Sequence, residues 1–212
     1  MKKHCFLFFI ILFASYFYAD SEVVDYVNFQ HQEIFSFLNE NKDQLQTDEE
    51  RFLSQFEKKF SKLIPPNEIS KRVMGKKYFT QATQDQIIKF NEKFKNTLLD
   101  SYSGALSNVE AANISVESHF HPNERMDLAV VQLNTEFSGR KFRLIYKMKK
   151  LKLEDLKEWR VIGIVIDGID LVSIYRKQFA SLVKENDDNL DLAISSWSIG
   201  EESITPVSYT HL

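Results

Sequence analysis

Trp159-Arg-Val-Ile-Gly-Ile-Val-Ile-Asp-Gly-Ile-Asp-Leu-Val-Ser-Ile-Tyr-Arg-Lys-Gln-Phe179 is the stretch that decides how this chain folds. From Trp159 to Ile166 apolar residues fall on both faces of a strand, Asp167-Gly168 breaks it, and an amphipathic helix follows at once. A strand that is greasy on both sides must be covered on both sides, or else one side must face something apolar that is not protein. The second alternative points to a lipid.

Upstream of this stretch the period of the apolar residues changes once. Val24, Val27, Ile34 and Leu38, widened by Phe35 and Phe37, predict a helix from Ser21 to about Gln44. Asp48 or Thr47 caps a second helix whose Phe52, Phe56, Phe60 and Leu63 stack on one face, and Pro65-Pro66 ends it. A short helix from Asn67 to Met74 stops at Gly75. Thr83 and Gln86 form a capping box for the clearest helix, with Ile87, Phe90, Phe94, Leu98, Tyr102 and Leu106 in one stripe over ~35 Å.

From Asn113 the pattern is that of strands: Ile114–Phe120, Leu128–Phe137, Lys141–Met148 and Trp159–Ile166, with Ser138-Gly139 as a tight hairpin turn. Short connections make neighbours antiparallel. A helix over Leu171–Asn186 and a short one near Asn189–Trp197 complete the chain. Helices first and strands after predict an α+β domain, with N-terminal helices packed on a curved antiparallel four-stranded sheet and C-terminal helices beside it.

The N-terminus has Lys2 and Lys3, an apolar run from Cys5 to about Phe13, and Ala14 to Ala19, which is the layout of a secretory signal peptide over residues 1–19. The run is shorter than the ~20 apolar residues of a membrane span. Cys5 is the only cysteine, so the exported chain has no thiol for a disulfide, a metal or a nucleophile. Without Lys2 and Lys3 there are 25 basic against 30 acidic residues, a formal charge of −5, which argues against nucleic acid as a partner. Residues 20–205 form one domain by length, and thirteen of the 18 phenylalanines belong to it. The tail Pro206–Leu212 matches nothing upstream and reads as translated adapter sequence, outside the fold.

Three blocks carry a family resemblance: Val73-Met-Gly-Lys-Lys-Tyr-Phe-Thr-Gln-Ala-Thr-Gln-Asp-Gln86, Leu99-Asp-Ser-Tyr-Ser-Gly-Ala-Leu106, and Trp159 to Phe179. In order and spacing they resemble the MlaC family of periplasmic phospholipid-binding proteins, also called toluene-tolerance auxiliary proteins, over roughly residues 20 to 198. Gly75, Ala82-Thr83 with Gln86, Tyr102, Trp159-Arg-Val161, Asp167-Gly168 and Tyr175-Arg-Lys-Gln-Phe179 stand where the family has like residues. Ile162 and Gly163 depart from it where an aromatic and an aspartate are usual, and Asp170 replaces a small polar residue. The resemblance implies an NTF2-like or MlaC-like fold enclosing an apolar cavity. It also implies a monomeric periplasmic carrier, not an enzyme, with bound phospholipid as cargo and no cofactor. Its implied partners are an outer-membrane lipoprotein-porin complex and an inner-membrane ABC transporter with an MCE-domain subunit, a traffic that maintains outer-membrane lipid asymmetry.

Elementary energetics agree. A two-chain phospholipid has ~30 methylenes, and at ~0.8 kcal/mol each their exposure costs ~20 kcal/mol or more. A carrier lined with Phe, Leu, Ile and Val exchanges one apolar surrounding for another, and one that grips only tails needs no basic headgroup pocket. By spacing, the expected lipid-binding residues on the sheet are Val131, Leu133, Phe142, Leu144, Tyr146, Val161 and Val165. Those on the helices are Phe90, Phe94, Leu98 and Tyr175. Each of these side chains also suits an ordinary core.

Rival chemistry is thin. Glu117, His119 and His121 share one face of a strand but have no second pair of ligands, so a polar edge strand is the simpler reading. Asp167 or Asp170 with Tyr146 would be the acid-base pair of an NTF2-like cavity enzyme; a turn and a capping carboxylate explain the two aspartates as well. A structural interaction protein with a filled core is the remaining alternative. The basic run Lys147–Lys152 is expected at a solvated hairpin end and is a candidate docking patch for anionic lipid or an acidic partner.

Overall fold

The computed structural model describes residues 4–106, 113–137, 140–153 and 156–198, with side chains for 22–99, 114–136, 141–152 and 156–198. The Ser138-Gly139 turn, the tail from Pro206, and the side chains of the leader, Tyr102 and Leu106 lie outside the described residues. Among the described residues no helix is long and apolar enough to cross a membrane.

The helix expected from Ser21 is part of α1 (His4–Glu40), and a short α2 (Lys42–Thr47) follows it. Asp48 caps α3 (Glu49–Leu63) by accepting from the Arg51 N–H at 3.2 Å. The phenylalanine face of α3 packs on α1, with Phe37 and Phe52 ring centroids 5.3 Å apart. Pro66 opens α4 (Pro66–Gln81) at the position where a missing N–H costs nothing. Its first helical segment stops at Gly75, as expected, and a second segment continues beyond the kink to Gln81. Gly75 sits at φ +69, ψ 169, a region open essentially to glycine alone, and the Arg176 side chain passes over it. Arg176 Nε donates to the Arg72 carbonyl at 2.7 Å, in the turn before the kink. The capping box of α5 (Gln84–Leu106) is reciprocal: the Thr83 N–H donates to Gln86 Oε1 at 3.0 Å and the Gln86 N–H to Thr83 Oγ1 at 3.2 Å.

Five strands form one antiparallel meander: β1 (Asn113–Phe120), β2 (Leu128–Phe137), β3 (Arg140–Leu153), β4 (Leu156–Ile166) and β5 (Ile169–Asp170). The sheet therefore has one strand more than expected. Asp167 at φ 48 and Gly168 at φ 88 make a two-residue left-handed turn that folds Ile169 back onto Ile166 before α6 (Leu171–Glu185) begins. Strand β3 also runs past the expected Met148, because Lys149–Lys152 find partners in Arg160–Lys157. The last helix is α7 (Leu190–Ser195).

A bulge in β4 resolves the doubly apolar strand. Lys147 lies opposite Gly163 and Met148 opposite Val161, so Ile162 has no partner and the alternation shifts by one residue. Before the bulge Trp159 and Val161 are buried in the core; beyond it Ile164 and Ile166 take the inner face, with Tyr146 and Leu144 as neighbours. A second irregularity at Glu117 bends β1 in the same sheet.

One core joins the sheet to α1, α4, α5, α6 and α7. Its densest part is aromatic: Phe179 lies 4.7 Å from Phe90, 5.8 Å from Tyr78 and 6.0 Å from Trp197 between ring centroids. On the other side α1 packs against β1 and reaches the middle of β3, where His31 Nε2 meets Tyr146 Oη at 3.2 Å. Burial holds the His31 imidazole neutral, with its pKa lowered to about 4.

Two outcomes are expected. Gly75→Ala destabilises the protein by about 1–3 kcal/mol in urea unfolding, since an alanine there is strained whatever space surrounds it; an unchanged midpoint would show that the kink is not needed. Because the folded pKa of His31 lies below its unfolded value of 6.5, the unfolded chain binds the extra proton. Stability is therefore full above pH 6.5 and falls toward pH 4, by roughly 3 kcal/mol at ~1.4 kcal/mol per unit. In His31→Gln that pH slope flattens in the same denaturation series.

Candidate functional site

Between the inner face of β3–β4 and the helices lies a cavity of about 330 Å³. Leu144 and Tyr146 of β3 with Ile164 and Ile166 of β4 form its floor. Phe56 and Phe60 of α3, followed by Ile64 and Ile69, close one side. Phe94, Leu98 and Leu99 of α5 form the roof, and Leu171, Val172 and Tyr175 of α6 complete it. The only polar groups on these side chains are the hydroxyls of Tyr146 and Tyr175. The Tyr146 hydroxyl is turned to His31, and burial pushes its pKa above that of an ordinary phenol. Such a space suits hydrocarbon and has too few polar partners to hold ordered water.

Among the residues expected by spacing, Phe94, Leu98, Leu144, Tyr146 and Tyr175 line this cavity. The others do not, and each for a local reason. Val165 follows the bulge at Ile162, so it pairs with Ile145 and Asp170 and leaves the inner face to Ile164 and Ile166. Phe142 pairs with Thr135 beyond the end of β4, whose last partner on β3 is Leu144. Val131 and Leu133 lie on β2, in the core that Val23 and Val27 of α1 share. Val161 is buried opposite Met148, and Phe90 is one turn from the cavity within the aromatic cluster.

Sequence reasoning passed over Phe56, Phe60, Ile164, Ile166 and the start of α6. The phenylalanine ladder of α3 was legible as a stripe, but nothing in its spacing says that it faces the sheet side of the cavity as well as α1.

The proposed acid-base groups are apart from one another. Asp167 Oδ1 accepts from the Arg143 N–H at 2.9 Å, which locks the turn. Asp170 caps α6 through the Ser173 N–H at 3.0 Å and pairs with Lys147 at 2.6 Å. Burial raises its pKa, but the hydrogen bonds from Lys147 and Ser173 outweigh this and hold it below the usual carboxylate value. Tyr146 is bonded to His31 and to neither aspartate.

Among the described residues no group of three or more His, Cys, Asp and Glu is placed to hold a metal ion. His121 Nδ1–H donates to the Leu128 carbonyl at 2.6 Å, a structural bond at the strand end. In the basic run, Lys147 is taken by Asp170, and Lys150 pairs with Glu22 at 2.6 Å while lying 5.1 Å above the Trp159 ring. Only part of the run is therefore available to a partner.

Comparison with known proteins agrees with this architecture. The toluene tolerance protein ttg2D of Pseudomonas putida is 27% identical over 167 residues, which cover 78% of this chain and 75% of that protein. The solved structure of a phospholipid-binding protein from Ralstonia solanacearum, in complex with a phospholipid, superposes with a TM-score of 0.70 at 20% identity. That match covers 83% of this chain and 93% of the other. The family model of the MlaC protein matches residues 30–198, and the chain belongs to the MlaC family.

Proposed function

We propose that the protein is a periplasmic phospholipid carrier, exported by its N-terminal leader, which shields acyl chain in the cavity. The apolar cavity is the observation that carries this reading. The space is apolar and only partly enclosed, so left to water it exposes a hydrocarbon-lined wall, and an apolar occupant covers that wall. The phospholipid bound by the structurally similar Ralstonia solanacearum protein gives the occupant its chemical class.

The α3 ladder borders this space: Phe56 and Phe60 line the cavity and also pack in a second small cluster with Phe52, Phe37 and Leu38. The monomer would collect and deliver glycerophospholipid between an outer-membrane lipoprotein-porin complex and an inner-membrane ABC transporter with an MCE-domain subunit, so maintaining lipid asymmetry. In this role it is not an enzyme and uses no cofactor: Asp167 and Asp170 serve a turn and a cap.

Protein purified from a Gram-negative host and extracted with organic solvent should release about one phospholipid per chain by mass spectrometry. A chain that carries none, in a folded preparation, defeats the carrier reading and favours an interaction protein. Leu98→Trp with Leu144→Trp fills the cavity, so it should cut the co-purified lipid several-fold. The same pair should stabilise the lipid-free protein by roughly 0.5–2 kcal/mol in thermal unfolding. Lipid content unaffected by the two tryptophans would place the lipid elsewhere.

A further inference from the structure

Tyr146 has two neighbours of opposite kind. It lines the apolar cavity, while its hydroxyl meets His31 Nε2 of α1 at 3.2 Å. The imidazole stands edge-on to the phenol ring, with centroids 5.7 Å apart, and Phe35 is 6.2 Å away. Both side chains of the pair are buried. One residue thus separates the space for lipid from a group that ordinarily titrates near neutral pH.

Among the described residues no carboxylate is placed to receive a charge on His31, and burial alone acts on its imidazole. One turn away on α1 stand Val27, Asn28, Ile34 and Phe35, none of them charged. Farther toward the N-terminus, Tyr26 is engaged by Arg160 at 2.7 Å. From α3, Lys59 is held by Glu33 of α1 at 2.6 Å. On the sheet, Tyr146 pairs with Ile164 of β4 and Val131 of β2, and Val131 in turn with His119 of β1. His119, half-buried, is therefore the next titratable group in that row.

We propose that His31 is an acid-release switch for the cavity: protonation of its imidazole and occupation of the cavity by an acyl chain oppose each other. This role rests on the carrier reading above. A neutral imidazole offers Nε2 as acceptor for the Tyr146 O–H. The imidazolium donates from both nitrogens, so Nε2–H takes the phenol oxygen and the phenol proton must turn elsewhere. The cavity beside it supplies no acceptor except the hydroxyls of Tyr146 and Tyr175. With hydrocarbon in place, the turned O–H and the new charge both stay unsolvated; once it leaves and the α1–β3 contact loosens, solvent reaches them. The closed arrangement holds the His31 pKa at about 4, and access to water returns it toward 6.5. Lipid therefore resists the proton, and by linkage the proton weakens lipid by the same factor.

The test measures the affinity of the exported chain for phosphatidylcholine, whose headgroup charge is constant between about pH 7 and about pH 5, with circular dichroism recording that the protein stays folded. Binding should be at least fivefold weaker at the lower pH. His31→Gln, which cannot take the charge, should bind equally at both, and His31→Leu serves if the glutamine variant does not fold. His119→Gln should keep the acid response. In proton NMR of the histidine rings, lipid should shift the His31 titration to lower pH. Equal affinity at the two pH values, an acid response that survives in the His31 variants or disappears in His119→Gln, or release that coincides with unfolding would overturn the switch. A protein that binds no phosphatidylcholine at about pH 7 sinks the carrier reading and the switch with it, whereas one that binds it equally at both sinks the switch alone.

Discussion

A set of aromatic rings that fills one end of the molecule is the constraint on which the remaining structure depends. Phe90, Phe179 and Trp197 pack with centroids 4.7 to 6.0 Å apart and bind α5, α6 and α7 into one unit. Rings are large and rigid, so they fix the distance between the helices as well as holding them together. Phe94 and Tyr175 belong to the rim of this cluster, 6.4 Å apart, and are also the first residues of the cavity wall. The helices are propped there at a separation that the smaller Leu98, Leu171 and Val172 do not close.

The sheet beneath is shaped to meet that gap. The bulge at Ile162 lets one strand serve two surroundings: Trp159 and Val161 enter the solid core, and Ile164 and Ile166 turn toward the open space. At the opposite side α1 covers β1 and seals its contact through the buried His31–Tyr146 pair. The hollow is thus confined to the β3–β4 half of the inner face. Its lining is apolar apart from the Tyr146 and Tyr175 hydroxyls, so an apolar occupant is the chemistry that fits it.

The α3–α5 wall has two unlike sides. Phe56, Phe94 and Leu98 face the cavity, while Glu57, Lys58 and Lys95 lie on the other side, and amphipathic periodicity produces both faces from one stripe pattern.

Much of the fold was legible in the chain because it rests on local rules. The capping pair Thr83 and Gln86, the Asp48 cap, the phenylalanine stripe of α3 and the alternation of β3 each express a preference that neighbouring residues satisfy among themselves. The blocks Val73–Gln86, Leu99–Leu106 and Trp159–Phe179, taken together in their order and spacing, likewise pointed to the MlaC family. Which apolar residues face a hollow was not local. Val165 and Ile164 are equally greasy, and only the pairing with β3, through a bulge that removes Ile162 from the ladder, decides which of them turns inward. Leu133 and Leu144 are cross-strand partners with the same character, yet the first is fully buried in the core and the second lines the cavity. The sequence by itself determined the elements, their caps and the need to cover a doubly apolar strand. Tertiary packing alone decided where that cover stops short, because a cavity is a property of the distances between elements, and no residue encodes a distance.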